Sequence, residues 1–574
     1  MAPGHHHPHD EHAVHSLPPA LDPSVRDEEL TPDQLSRRSM LRRAGLLGAG
    51  LGAVSVLDGG ATRAVAATRA APGSRQHGGG YLWLAGDHHI HTQYSNDGKY
   101  RVIDQVRQGA RHGLDWMVIT DHGNITHARI GVEKVNPDIR EARETHRDAL
   151  VFQGLEWNIP GAEHGTVFVH PGRDEVAVLK EFETSFDGSV KNAGDSTPRN
   201  EALAIAGLDF LSDAVRRRRV KAALMLANHP ARKGLDSPHE IRGWRDAQPH
   251  IAVGMEGAPG HQAAGIPASA HGPGGARGLY ENAPGPQSFT AYPAESYRTW
   301  GGFDWMTATV GGLWDSLLAE GKPWWITANS DSHNVYADTA MRRPGSDYET
   351  NGRQDDPVYR GGLDLEENDY WPGQYSRTHV GAEDFSYAAV MDGIRAGRVW
   401  VDHGGLISGL DARLSGGGSG GERRSGSGGG GRSVTLGGTL QVERGTRVRL
   451  DMDIALANGP NWAGFIPTLA RVDVIQGEVT GAVGDRDTFT TPRTRVVKSF
   501  EISRTSGSVR LSYDLGAVDR PLYVRLRGTD GNRAAVGARG AAVDPHGPAM
   551  DVPGDADPWR DLWFYANPMW VLPS

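Results

Sequence analysis

The chain has 574 residues, of which 23% are charged and 38% hydrophobic, and it contains no cysteine. This length favours several domains, and the hydrophobic fraction excludes wholesale disorder. The lack of cysteine excludes disulfide scaffolds, thiol nucleophiles and iron–sulfur clusters, so any metal must be held by histidine and carboxylate side chains. The formal net charge of −10 gives no electrostatic basis for binding duplex nucleic acid. A mean hydropathy of −0.48, without a long apolar run, predicts no membrane span.

The N-terminal segment has the features of an export signal. Arg37 and Arg38 precede a Gly-rich apolar stretch over residues 44–57, and small residues follow just before Ala67. This pattern resembles a twin-arginine signal cleaved before Ala67. We therefore expect residues 1–66 to be a signal peptide and the protein to be secreted or extracytoplasmic. An ordinary secretory signal or an internal translation start is the alternative.

Residues 81–403, which follow a predicted flexible spacer at 67–80, repeat one pattern. A short apolar run ends at or near His, Asp or Glu, and a more polar stretch follows, which predicts parallel strands joined by helical crossovers. The fold class is therefore α/β, either a barrel or a doubly wound sheet, with functional side chains at the C-terminal ends of the strands. The runs are Tyr81–Ala85, Trp116–Thr120, Leu150–Leu155, Thr166–Val169, Ala222–Ala227, Ile251–Met255 and Trp324–Ala328. Two Gly/Pro-rich stretches, Pro259–Pro293 and Asp338–Tyr375, are predicted either to rim the same face or to be disordered insertions.

Residues 404–574 have a different sequence pattern, with alternating or β-branched runs. This pattern predicts a smaller all-β sandwich with a Gly/Ser-rich loop at 415–433. The aromatic end, Trp559–Pro568, predicts a strand that docks on the sandwich or at the seam between the domains, with sugar binding as the alternative. The predicted strands are Leu406–Leu414, Thr439–Ala457, Leu469–Ile475, Val496–Ile502, Val509–Leu515 and Leu522–Leu526.

Histidine and carboxylate residues recur at the ends of the predicted barrel strands. Two imidazoles placed two residues apart on a strand face the same side. Gathering so many ionisable groups at one barrel mouth is unfavourable unless cations bind among them, because of desolvation and like-charge repulsion. The pattern therefore predicts a metal cluster. The candidate ligands are His89, His91, Asp97, His122, Glu156, His164, His229, Asp331 and His333.

The order of these motifs resembles the PHP (polymerase and histidinol phosphatase) family between about Tyr81 and Asp402. The series is His-x-His, Asp, Thr-Asp-His, Gly-x-Glu with a later His, Asn-His-Pro and Ser-Asp-Ser-His. The resemblance implies a distorted (β/α)7 barrel that holds two or three divalent metals. It implies one metal on His89, His91, Glu156 and Asp331, a second on Glu156, His164 and His229, and a third on Asp97, His122 and His333. The Asp97 position is often His in the family, with variable spacing.

The resemblance also implies the chemistry, which is metal-assisted hydrolysis of phosphate mono- or diesters. Mixed histidine and carboxylate ligands suit Mn, Zn or Fe. Asp121 is expected to handle protons or to support a ligand without binding metal. Arg232 and Lys233, directly after His229 and Pro230, are placed to neutralise a phosphate, with a solvated loop charge as the alternative.

The expected partner is a small-molecule phosphate ester. Two other functions stay open from the sequence. One is metal-dependent hydrolysis of a lactone or an amide. The other is glycan or cell-wall binding through the C-terminal domain, with a vestigial barrel.

Overall fold

A computed structural model of the chain describes residues 77–78, 80–260, 284–297, 299–333, 347–357, 369–417, 433–461, 466–531 and 562–574. The predicted signal peptide, almost all of the predicted spacer and most of the Gly/Ser-rich loop lie outside these residues. The two Gly/Pro-rich stretches are described only in part. Within the described ranges, no helix combines the length and the apolar character needed to cross a membrane.

The strands are numbered in chain order. They are β1 His77–Gly78, β2 Tyr81–Ile90, β3 Trp116–Ile119, β4 Leu150–Asn158, β5 His164–Val169, β6 Ala223–Ala227, β7 Ala252–Ala258, β8 Thr299–Trp300, β9 Phe303–Asp304, β10 Trp325–Ala328, β11 Ser376–Ala382, β12 Val399–His403, β13 Ile407–Gly416, β14 Ser433–Val434, β15 Thr439–Val442, β16 Thr446–Leu456, β17 Arg471–Glu478, β18 Thr494–Glu501, β19 Ser508–Val518, β20 Leu522–Thr529 and β21 Trp563–Pro573.

The helices are numbered in the same way. They are α1 Val102–Arg111, α2 Val132–Thr145, α3 Glu175–Phe186, α4 Gly188–Lys191, α5 Pro198–Arg216, α6 Pro238–Ala247, α7 Trp305–Ala308, α8 Leu313–Ala319, α9 Tyr348–Asn351 and α10 Tyr387–Arg395. A π-helical turn, His127–Gly131, leads into α2, and a 3-10 turn, Ala294–Tyr297, precedes β8.

The seven apolar runs all form strands, and these strands are neighbours in the larger sheet in the order β10-β7-β6-β5-β4-β3-β2. Every residue of β3, β6 and β10 is buried, as expected for strands covered on both faces. On the helical side, Ala204, Leu208 and Leu211 of α5 are buried at intervals of three or four residues, which is the period of a helix packed on one face.

One predicted strand runs in the opposite direction to the prediction. β5 is antiparallel to both β4 and β6. The connection from β4 to β5 spans only residues 159–163, whereas a parallel crossover needs about a dozen residues. Because β5 is antiparallel, its first residue, His164, lies at the edge of the sheet where the parallel strands end.

The first and last strands of this series meet at that same edge. Ile90 pairs with Ser332, just beyond β10, in a parallel bridge. The His91 N–H donates to the Ser332 carbonyl at 3.0 Å, and the Asp331 N–H donates to the His89 carbonyl at 3.0 Å. The sheet therefore curls until residues from β2 and from the end of β10 lie side by side.

The chain beyond His403 contributes to two sheets. Among the described residues, β14-β13-β16-β19 form an antiparallel sheet of their own. The larger sheet continues from β2 through β11-β12-β21-β20-β17-β18, and β15 pairs with β21 in parallel. The predicted combination of a mixed α/β fold with an all-β region is confirmed.

Strand β21 lies at the junction of the two regions, as predicted for the aromatic end of the chain. It pairs with β12 on one side and with β20 on the other. The buried side chain of Asn567 accepts a hydrogen bond from Ile326 N at 2.9 Å and donates to Ile326 O at 3.4 Å. In this way β21 also satisfies backbone groups of β10, on the opposite side of the curled sheet.

Candidate metal centre

All nine predicted ligands lie together at one edge of the curled sheet. Strand β2 brings His89 to this edge within the strand and His91 directly after it, and β4 brings Glu156. The remaining residues are in the loops that follow strands or in short turns, except His164, which begins β5. The structure thus gathers residues that are up to 244 positions apart, from His89 to His333.

The innermost group consists of His89, His91 and Asp331, all almost completely buried. The Nε2 atoms of the two histidines are 3.0 Å apart, and Asp331 Oδ1 is 3.0 Å from the first and 3.1 Å from the second. Ligands that bind one cation at about 2.1 Å lie about 3–3.4 Å from one another in octahedral or tetrahedral geometry. This triangle of donor atoms therefore fits a divalent cation.

Glu156 is the central carboxylate of the whole arrangement. Its side chain is 1% exposed and its two oxygens face five imidazoles. Glu156 Oε2 accepts no hydrogen bond from the described residues, although it lies 2.8 Å from His122 Nδ1. A buried carboxylate oxygen that is surrounded by imidazole nitrogens but accepts no hydrogen bond is expected where the carboxylate is shared between metal ions. The nearest nitrogens lie at 3.2 Å (His89), 3.3 Å (His91), 2.8 Å (His122), 3.0 Å (His164) and 3.1 Å (His229).

The outer group consists of Asp97, His122 and His333. This group also lies close to His91. Asp97 Oδ2 is 3.1 Å from His122 Nε2 and 3.7 Å from His333 Nε2. The ring of His333 stacks on that of His91 at 3.8 Å. The grouping that the resemblance implied for a third metal is therefore compact.

The electrostatics of the centre favour positive charge. Burial alone would lower the pKa of His89 and His122, but neighbouring carboxylates raise both well above the usual value. Burial would raise the pKa of Glu156, but the surrounding imidazoles hold it well below its usual range. Divalent cations compete with protons for these atoms, so metal affinity is expected to fall as the pH falls.

Two of the predicted ligands have left-handed backbone conformations that are unusual for residues other than glycine. The φ angle is 30° at His229 and 53° at Asp331. Such conformations are unfavourable by about 1–3 kcal/mol and persist only where surrounding contacts enforce them. At His229 the backbone N–H donates to Glu256 Oε2 at 2.8 Å, and at Asp331 it donates to the His89 carbonyl.

Glu256 is a functional residue that the sequence analysis missed. It is fully buried in β7, where Oε1 accepts from His89 Nδ1 at 2.8 Å while Oε2 holds the backbone of His229. A carboxylate on the second ring nitrogen fixes the tautomer and orientation of a ligating histidine. The available signal was its position, directly after the sixth apolar run.

A layer of amides lies beneath the same ligands. Asn228 Nδ2 donates to Glu156 Oε1 at 3.2 Å, and Asn329 Nδ2 donates to Glu256 Oε1 at 3.1 Å. His88, on the opposite side of β2, bonds Thr166 and Thr327. Burial lowers the pKa of His88 to about 3, so this imidazole is neutral and belongs to the support of the site.

We expect Glu256→Gln to weaken metal binding by about 10–100-fold, because the carboxamide holds His89 less firmly in its ligating orientation. Metal titration of the purified variant, followed by calorimetry, measures this change. Glu133→Gln is the matched control, since Glu133 is 56% exposed and pairs with Lys180 at the surface. Unchanged affinity in Glu256→Gln would contradict the orienting role.

Arg232 lies close to the centre, but it is not free in solvent. Its guanidinium forms a close ion pair with the buried Glu163, and Lys233 Nζ is 3.3 Å from the same carboxylate. Glu163 Oε1 is also 3.5 Å from His229 Nδ1 and 3.9 Å from His164 Nε2. Glu163, another residue missed from the sequence, therefore joins two cationic side chains to two predicted ligands.

Asp121 is buried, and its carboxylate is held by Thr92. Its carboxylate accepts hydrogen bonds from the backbone and hydroxyl of Thr92, at 2.6 and 2.9 Å. Its backbone carbonyl accepts from Glu156 N at 3.1 Å. Asp121 thus ties the segment after His91 to the strand that carries Glu156, and burial raises the pKa of its carboxyl.

The ligands of the centre differ in their exposure to solvent. The side chains of His122, His164 and His333 are 14–18% exposed and that of Asp97 is 45% exposed. Those of His89, His91 and Glu156 are at most 1% exposed. Solvent therefore reaches the centre at Asp97, His122, His164 and His333, and Lys233, 39% exposed, contacts Glu163 beside His164.

Comparisons with known proteins agree with the motif order. Residues 87–206 match a family model described as the PHP domain. None of the curated proteins compared with the chain matches it significantly.

Among solved structures, the chain is similar to a two-domain protein from Bacteroides vulgatus that contains a predicted PHP-like metal-dependent phosphoesterase. The two share 13% identity with a TM-score of 0.31, over 79% of this chain and 93% of that one. The chain is also similar to an amidohydrolase from Chromobacterium violaceum, solved with bound sulfate and no metal. The identity is 16% and the TM-score 0.18, over 30% of this chain and 76% of that one. At these TM-scores neither structure supports a conclusion about the fold or the function of this chain.

The matched segment begins in β2, which carries His89 and is followed directly by His91, and it extends past Glu156 and His164. Residues 87–206 therefore match a PHP domain, as the order of the motifs predicted.

Proposed function

We propose that the protein is an exported metal-dependent phosphoesterase that hydrolyses phosphate mono- or diesters. The observation that carries this proposal is the convergence of five imidazoles on Glu156, next to the arginine–lysine pair held by Glu163. Metal-binding atoms and an anion-binding edge thus share one mouth, which suits an anionic ester.

The residues present fit two or three divalent ions, which we propose to be Mn, Zn or Fe. Groups of three or four donor atoms within 4.8 Å of one another include His89-His91-Asp331, His122-Glu156-His164 and His91-Asp97-His122-His333. Bound at these positions, divalent cations supply Lewis-acid charge for phosphoryl oxygens and acidify a water.

The chain's own residues position the substrate. Arg232 and Lys233 offer N–H donors to phosphoryl oxygens, and guanidinium groups match phosphate geometry well. Glu163 restrains the side chains of Arg232 and Lys233, so these side chains need little reorganisation when the ester binds. Asp121 keeps the segment after His91 in place, and a role for it in proton handling stays a prediction.

Several finer points belong to the same proposal. We propose a distorted seven-stranded barrel for the curled part of the larger sheet, and export by the twin-arginine route. Hydrolysis of a lactone or amide is the alternative activity. The glycan or cell-wall contact of the C-terminal region also stays a prediction. The outer face of its small sheet carries paired charges such as Arg447 with Asp514 and Arg510 with Asp453.

The test uses the chain from Ala67, loaded separately with Mn, Zn and Fe. We expect hydrolysis of p-nitrophenyl phosphate or of bis-p-nitrophenyl phosphate, and no hydrolysis by the His89→Ala variant. The preferred ester identifies a monoesterase or a diesterase. If all metal-loaded forms are inert on both esters, the phosphoesterase proposal fails, and lactones and amides become the next substrates to measure.

A further inference from the structure

The connection between β17 and β18, residues 479–493, leaves its own sheet and lies on the helices beside the metal centre. We call it the clamp loop. His239 Nδ1 lies 2.5 Å from Asp487 Oδ1, and Arg242 Nη1 donates to the Arg486 carbonyl at 2.9 Å. Farther along, Thr491 N donates to the Gly311 carbonyl at 2.7 Å. The clamp loop is thus attached at both α6 and the turn before α8.

At the centre of the clamp loop, the half-buried Phe489 completes an aromatic cluster. Its ring lies 6.4 Å from Phe289, 5.4 Å from Tyr292 and 5.9 Å from Trp305. Aromatic pairs at such distances contribute about 0.5–1.5 kcal/mol each beyond area burial. Phe489 therefore fixes the position of the segment that contains Phe289 and Tyr292.

That segment holds the loop that carries the cationic side chains of Arg232 and Lys233. Phe289 N donates to the Gly234 carbonyl at 2.7 Å, and Ser288 Oγ donates to the Lys233 carbonyl at 2.6 Å. Gly234 has a φ of 64°, and a Cβ there would come within 2.4 Å of Tyr297 Oη. The loop and the aromatic segment are thus in direct contact, without room for a side chain between them.

A second set of hydrogen bonds leads from Tyr292 to Glu163. Tyr292 Oη donates to the Asp236 carbonyl at 2.7 Å, and the Glu163 N–H donates to Asp236 Oδ1 at 2.9 Å. Asp236 is completely buried. Both ends of the Glu163–Arg232 ion pair are therefore held by the aromatic segment, one through Asp236 and the other through the backbone of Lys233 and Gly234.

We propose that the clamp loop is a positioning element of the C-terminal region, which acts through Phe489 and Tyr292 to hold Arg232 and Lys233 at the mouth of the metal centre. The inference rests on the proposed function in so far as the anion held there is the phosphoryl group of the substrate. It assigns the C-terminal region a part in substrate binding, because the contacts that begin at Phe489 lead to Glu163, Arg232 and Lys233 at the mouth of the centre.

The experiment compares Phe489→Ala with Phe500→Ala, a matched truncation on β18 that lies outside the clamp loop and is also half-buried. The metal-loaded full chain is titrated with inorganic phosphate by calorimetry. We expect Phe489→Ala to weaken phosphate binding about tenfold, a size typical of mutations that act through intermediate contacts, with unchanged metal content. Phe500→Ala should bind phosphate like the original chain.

A double variant tests the route. If Phe489 acts through Arg232, then Phe489→Ala causes no further loss in an Arg232→Ala background. Equal losses in both backgrounds, or unchanged phosphate binding in Phe489→Ala, would overturn the proposal, as would a chain that binds no phosphate at all. A p-nitrophenyl phosphate assay on the same samples separates the two hypotheses. In Phe489→Ala, turnover should show a higher KM with little change in kcat. If the chain binds phosphate but hydrolyses neither ester, the proposed function fails, and the phosphate titrations still decide the role of the clamp loop.

Discussion

Glu156→Gln is expected to abolish hydrolysis and to remove at least one bound metal ion. The carboxylate faces five imidazoles from β2, β5 and the loops after β2, β3 and β6, and no other described carboxylate takes that central place. A glutamine has nearly the same shape but carries no charge, so its oxygen is a far weaker ligand for a divalent cation. Loss of the several kcal/mol that such cations contribute corresponds to a roughly thousandfold or larger fall in rate.

Metal content measured by mass spectrometry and ester hydrolysis measured on the same sample decide this prediction. Glu133→Gln again serves as a control, because it also removes one carboxylate while leaving the centre unchanged. Melting temperature with saturating metal shows whether the variant is folded. Full activity in a folded Glu156→Gln variant would refute its assignment as a metal ligand.

A chain ending at Leu562 is expected not to fold, even in its metal-binding part. Deleting β21 removes apolar side chains that are at most 4% exposed, and each contributes about 1.5–3 kcal/mol when buried. The sum is on the order of 10 kcal/mol, which equals the whole stability of a typical domain. These side chains are Trp563, Phe564, Tyr565, Met569, Trp570 and Val571.

Near-ultraviolet circular dichroism and metal binding of the shortened chain measure the outcome. Asn567→Ala is the milder companion variant, since it only leaves the N–H and C=O of Ile326 without their side-chain partner. Unpaired buried groups are unfavourable by about 1–3 kcal/mol, so that variant should fold with a lowered melting temperature. A shortened chain that folds and binds metal normally would show that β21 is dispensable for the barrel-like part.

The candidate site could be predicted because ligand-type residues recur where the apolar runs end. Apolar runs that end at a ligand-type residue put that residue at one edge of a parallel sheet, which is where His89, His122 and His229 lie. His164 reached the same edge for a different reason, because β5 is antiparallel and begins there. The sequence analysis took that strand as parallel, since periodicity carries no information on direction.

The supporting carboxylates were harder to find. Glu256 follows an apolar run as the ligands do, but nothing local says that it bonds the ring of His89, which is 167 positions away. Glu163 stands beside a predicted ligand, and its partner Arg232 was considered as a phosphate contact or a solvated loop charge, not as the partner of a buried carboxylate. Pairings of this kind depend on which strands become neighbours, and that is settled by packing across the whole sheet.

In the C-terminal region, alternation along the chain correctly predicted β19, whereas the single run predicted over Thr439–Ala457 forms two strands, β15 and β16, in different sheets. It did not predict which sheet each strand would join. Strands β17, β18, β20 and β21 extend the sheet that begins in the PHP domain, whereas β13, β14, β16 and β19 form the other sheet.

The place of β21 also has a consequence for synthesis on the ribosome. Phe564 pairs with Asp402, a residue made 162 positions earlier, and contacts at such separations form slowly. Until residues 563–573 have emerged, one edge of β12 and one edge of β20 have their backbone groups open to any other extended chain. Folding of the nascent chain therefore depends on the late insertion of β21 between β12 and β20. Aggregation competes with folding until this insertion is complete.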